Sequence, residues 1–86
     1  MKHAGEQALD ALEALLVALR PLPGMTEKKR GVFYRKSKAF LHFHEDPAGL
    51  FADLRAAAGD DFDRYEVSTE TQCRALVRLV EERLRV

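Results

Sequence analysis

Residues 4–20 carry leucine and alanine at three- and four-residue spacing, and this stripe constrains the fold more than any other feature. Ala8, Leu9, Leu12, Leu15, Leu16 and Leu19 fall on one side of a helix, with Glu6, Asp10 and Glu13 on the other. The acids sit toward the N-terminus of the helix, where its dipole favours negative charge. Pro21 and Pro23 end the helix, and Gly24 completes the break. A stripe this broad needs an apolar partner, so the rest of the chain must supply a surface that covers it. Its sharper use would be as a contact between two copies.

The remaining chain offers such a surface. Residues 25–31 read as a polar connection, and residues 32–44 as a β-hairpin built on Val32, Phe33, Tyr34, Phe40, Leu41 and Phe43. The turn falls near Lys36, Ser37 and Lys38, with no Asn-Gly or Asp-Gly to fix its type. Strand alternation puts Leu41 and Phe43 inward, and Phe40, His42 and His44 on the opposite side. Asp46-Pro47 reads as a helix start, with Leu50, Phe51, Leu54 and Ala57 or Ala58 as the buried stripe and Gly59 as its C-terminal cap. Residues 62–67 read as a third strand, with Tyr65 and Val67 sharing a face. Thr69 and Gln72 fit a capping box that opens a last helix over about 70–85, whose buried side is Cys73, Leu76, Val77, Val80 and Leu84.

The expected fold is therefore α+β in the order α-β-β-α-β-α, three helices packed on one side of a small, mainly antiparallel sheet. With 86 residues, the chain has room for one domain, 1–86, and for no large internal pocket beside the core. The second sheet face must be polar or covered, and Phe33 and Phe40 would lie on it beside Arg35 and His42, forming a contact surface. A single cysteine, Cys73, rules out an internal disulfide. No signal-type apolar core or membrane-length run is visible, so the expected location is cytoplasmic and no membrane partner is expected.

Net charge is zero, 14 bases against 14 acids, which argues against a generic polyanion binder. The charges are nonetheless segregated. Residues 26–38 hold Lys28, Lys29, Arg30, Arg35, Lys36 and Lys38 against Glu27 alone, while residues 42–63 hold Glu45, Asp46, Asp53, Asp60, Asp61 and Asp63 against Arg55 alone. The basic hairpin, interleaved with Phe33 and Tyr34, could hold a nucleic-acid backbone. Its bland alternative is a sheet edge kept soluble by lysines. The two blocks could also meet between copies of the chain.

His42 and His44 share a strand face. With Glu45, Asp46 or His3 they could ligate a divalent metal, or act as surface imidazoles that titrate near neutrality. Cys73 reads as a small core residue. There is no Walker loop, Gly-x-Gly-x-x-Gly, Cys-x-x-Cys or Gly-x-Ser-x-Gly, so no catalytic residue and no cofactor is assigned.

Leu22-Pro23-Gly24-Met25-Thr26-Glu27 follows the first helix, Lys38-Ala39-Phe40-Leu41 follows the hairpin turn, and Asp46-Pro47 comes next. This order resembles the MmcQ/YjbR family of small bacterial proteins, with Ser37 standing where that family usually carries Gly. The resemblance spans most of the chain and implies a small domain with a DNA-binding label. It implies no catalytic residue. The expectation from all of this is a non-enzymatic interaction module that self-associates or binds another protein. The alternatives are a nucleic-acid contact through Lys28, Lys29, Arg30, Arg35, Lys36 and Lys38, and a metal or small-enzyme site around His42 and His44.

Overall fold

A computed structural model describes residues 2–85. Strand β1 (Lys2–His3) precedes helices α1 (Glu6–Ala11) and α2 (Glu13–Leu19). Five strands follow without a helix between them: β2 (Thr26–Lys29), β3 (Val32–Arg35), β4 (Lys38–Asp46), β5 (Gly49–Arg55) and β6 (Phe62–Glu66). Helix α3 (Glu70–Leu84) closes the chain. The strands form one antiparallel sheet in sequence order, β2-β3-β4-β5-β6. β1 pairs with the far end of β4, beyond the stretch that β3 occupies. The α+β class holds, but the strands run as a meander with helices at the two ends. Among the described residues no helix is long and apolar enough to cross a membrane.

The first helix is nearly as expected. It is divided at Leu12, whose amide is shared between the Ala8 and Leu9 carbonyls. Leu9, Leu12, Leu15, Leu16 and Leu19 are all buried, so this stripe is consumed by the chain's own core. It packs with Phe33, Leu41, Phe43, Ala52 and Leu54 from the sheet, Val67, and Leu76 and Val80 from α3. Leu41 and Phe43 point inward as alternation requires. The capping box also forms: Thr69 Oγ1 accepts from the Gln72 amide at 3.1 Å, and Gln72 Oε1 accepts from the Thr69 amide at 3.0 Å.

The segment after Asp46-Pro47 is the main correction, because it is strand β5 and not a helix. Asp46 turns the chain instead of capping it: its Oδ2 accepts from the Ala48 amide at 3.0 Å, and Asp46 pairs with Gly49 across a two-residue connection. Leu50, Ala52 and Leu54 alternate as well as Leu50 and Leu54 recur at four-residue spacing, so the local pattern satisfies both periods. Pairing with the whole length of β4, from Leu41↔Leu54 to Asp46↔Gly49, decides between them. Gly59 keeps its left-handed backbone, φ +84°, but in the loop between β5 and β6.

Two further expectations change. Residues 26–29 form edge strand β2, concealed in sequence because Thr26-Glu27-Lys28-Lys29 has no apolar residue; its lysines discourage edge-to-edge pairing. Phe33 and Phe40 lie in the core, not on the second face. A register shift between Phe33↔Leu41 and Tyr34↔Ala39 leaves Phe40 as an extra residue, and this bulge lets Phe40 and Leu41 both be buried.

Candidate metal centre

Helices cover one sheet face, and the other is open. The register then dictates which side chains gather there. His42 pairs with Asp53, and Asp53 with Arg64; His44 pairs with His3 on its other side. Because alternate residues of β4 share a face, His42 and His44 project together, and β1 brings His3 beside them. Phe62, with the Arg55 guanidinium over its ring at 4.8 Å, stands against His42 with ring centroids 4.9 Å apart.

His42 Nδ1 lies 3.0 Å from His44 Nε2. His3 stacks on His44 with centroids 4.7 Å apart, and lies 5.7 Å from His42. One ring nitrogen from each of the three histidines falls within 4.8 Å of the other two. His44 Nε2 is also 3.2 Å from Asp53 Oδ2. Asp53 is buried, and Arg64 clamps it in a two-pronged contact, Nε to Oδ1 at 2.7 Å and Nη2 to Oδ2 at 2.8 Å. That clamp holds the Asp53 carboxyl below the usual carboxylate range, against the opposing effect of its burial. Burial pushes both His42 and His44 below the ordinary imidazole value. The neighbouring His44 adds to this at His42, and the Asp53 charge opposes it at both rings. His44 Nδ1 is buried and has no partner in hydrogen-bond geometry.

Of the three groups expected to supply a further ligand, only His3 joins. Glu45 instead accepts from the Gly5 amide at 2.7 Å, and Asp46 belongs to its turn. Sequence reasoning missed Asp53 and Arg64. The signal was the alternation Phe51, Asp53, Arg55 opposite Leu50, Ala52, Leu54, visible once residues 49–55 are read as a strand.

The six basic residues of the hairpin region do not form one surface. Arg30 reaches back to the helices, 2.8 Å from both Asp10 and Glu13 and 3.3 Å from Glu6. Lys28 and Lys29 are exposed on β2, with Lys28 5.8 Å from the Tyr34 ring. Arg35, Lys36 and Lys38 lie at the opposite end of β3, where they line a cleft with Arg55 and Arg83. Cys73 packs against the core, with Sγ 3.5 Å from the Val67 carbonyl; burial raises its thiol pKa.

The fold and this cluster define a small α+β domain with a histidine-bearing open sheet face. No family model, curated protein or solved structure matches the chain, and the resemblance to the MmcQ/YjbR family rests on the sequence motifs alone.

Proposed function

We propose that the protein is a metal-binding module that holds one divalent transition-metal ion, zinc being the reference case, through His3, His42 and His44. The convergence of three imidazole nitrogens on an open sheet face carries this reading. Two nitrogens bound to one tetrahedral zinc at about 2.0–2.1 Å lie roughly 3.3–3.4 Å apart. The 3.0 Å between His42 Nδ1 and His44 Nε2 is close to that separation. His3 is exposed on β1, where its ring has room to turn toward the other two. A metal competes with protons for imidazole, so rings that burial holds neutral are ready ligands. Asp53, fixed by Arg64, lies against the same Nε2 of His44, so its carboxylate would add negative charge at the edge of the ligand set. Three nitrogen ligands leave one position for water or for a donor from a partner, and all-imidazole ligation suits zinc, copper or nickel.

Bound metal would also fasten β1 to β4, since His3 comes from one and His42 and His44 from the other. Titration calorimetry with zinc at neutral pH tests the reading. One site per chain is expected. His42→Ala and His44→Ala should abolish binding, and His3→Ala should weaken it. Slower amide exchange at residues 3–5 on adding zinc is the second expected result. Zinc uptake that survives the double replacement of His42 and His44 would overturn the proposal. Self-association and nucleic-acid contact have no comparable convergence of side chains behind them.

A further inference from the structure

The two edges of the sheet differ in character. β2, at one edge, has no apolar residue and ends in Lys28 and Lys29, which discourage strand addition. β6, at the other edge, carries neither lysine nor proline. Beside it a groove of about 530 Å³ runs between the strand and α3, floored by Tyr65, Ala75, Leu76 and Leu79. We propose that β6 pairs with β6 of a second copy of this chain, antiparallel about a two-fold axis at Tyr65, so that the two sheets become one and the α3 helices close over the groove.

The main chain makes this surface, and its hydrogen bonds fix which groups of β6 face outward. The Ala56 amide donates to the Asp61 carbonyl and the Val67 amide donates to the Leu50 carbonyl, each at 2.8 Å, one on each flank of the β5–β6 ladder. The register between them is uninterrupted. Alternate residues of a strand direct their amide and carbonyl to the same side, so Asp63 and Tyr65 also face β5. The amides and carbonyls of Phe62, Arg64 and Glu66 therefore face away from the sheet, and no strand pairs with them among the described residues.

A second strand of the same sequence bonds to those groups only in registers that set them opposite one another. Centring the pair on Asp63, Arg64 or Glu66 places that charge against its own copy, and centring it on Phe62 places Asp61 against Asp63. Centring it on Tyr65 sets Arg64 opposite Glu66 on both sides of the axis. It also puts the two tyrosines in the close, non-hydrogen-bonded position, where an aromatic pair stabilises a sheet. Arg64 keeps its grip on Asp53 through Nε and Nη2, and Nη1 remains to meet the carboxylate opposite. Glu66 is exposed and joins no ion pair among the described residues. The same holds for Arg78 and Glu82 on the α3 side of the groove. A patch that carries both signs can face its own copy, as a two-fold interface requires.

Sedimentation equilibrium of chelator-treated protein tests this, which keeps the outcome separate from metal binding. A monomer–dimer equilibrium is expected, and the amides of residues 62, 64 and 66 should gain protection from hydrogen exchange as concentration rises. Glu66→Arg sets like charges opposite each other and should weaken the dimer roughly tenfold or more. Glu66→Pro removes an outward amide that the β5–β6 ladder does not use, and should abolish pairing. Lys28→Glu, on the β2 edge, should leave it unchanged. Circular dichroism melts establish that the variants fold, and Glu66→Arg decides alone if Glu66→Pro does not. A monomer throughout the millimolar range overturns the proposal and leaves the edge to an extended segment of some other protein. A dimer that withstands Glu66→Arg, or that Lys28→Glu weakens equally, overturns it as well.

Discussion

Asp53 is the residue on which the open face turns. It is buried, it is gripped by Arg64, and it touches His44. Asp53→Asn keeps the shape and removes the charge. Loss of this negative charge beside the imidazoles should weaken zinc binding, read by competition with a chromophoric chelator. The histidines add a pH dependence with a defined sign. His42 and His44 titrate in the folded state below the ordinary value of 6.5. The unfolded chain therefore takes up protons first as pH falls, and unfolding is favoured. The metal-free protein should be most stable above about pH 6.5 and lose stability as pH drops through the lowered folded-state values. Denaturant midpoints across that range should fall in the wild type and stay flatter in the double variant His42→Gln, His44→Gln.

At the scale of elements, the β3–β4 turn shows a local rule overridden by the sheet. Arg35 pairs with Lys38, so Lys36 and Ser37 must make a two-residue connection, and both take left-handed backbone, φ 52° and 68°. A turn of this hand follows the twist of the strands and favours Asn-Gly. Here two side-chain-bearing residues occupy it, at a conformational cost of about 1 kcal/mol or more each. Ser37→Gly should therefore raise stability by roughly 0.5–1 kcal/mol, the relief being partly offset by the freedom glycine gains in the unfolded chain. Chemical denaturation at fixed pH checks it. Gly31 is the converse case. Its φ is +78°, and a Cβ there would lie 2.6 Å from Leu9 Cδ2, so only glycine lets β2 and β3 turn beneath α1.

For the whole molecule, a metal that binds only the folded chain adds stability by mass action. At a free zinc concentration 100 times the dissociation constant the gain is about 2.7 kcal/mol, which for a domain of this size raises Tm by roughly 10–20 °C. A melt followed by circular dichroism with and without zinc measures this, and the rise should vanish in His44→Ala. The molecule separates its tasks by sheet face. One face is spent on the core with the leucines of α1 and α2. The other carries the polar network, in which β4 contributes to both: Leu41 and Phe43 inward, His42 and His44 outward.

Local interactions were legible in the residues themselves. Helix spacing at 4–20, the Thr69–Gln72 cap, the hairpin aromatics and the pairing of His42 with His44 on one face all depend on neighbours a few positions apart, and periodicity records such neighbours. Tertiary structure alone settled what long-range pairing controls. Residues 49–55 satisfy helix and strand periods alike until β4 and β6 supply hydrogen-bonding partners on both sides. That pairing then carries Asp53 and Arg64 to His44, while β1 delivers His3 from 41 positions away in the register His3↔His44. A strand's identity is fixed by backbone partners distant in sequence, so the ligand cluster could only appear once those partners had met.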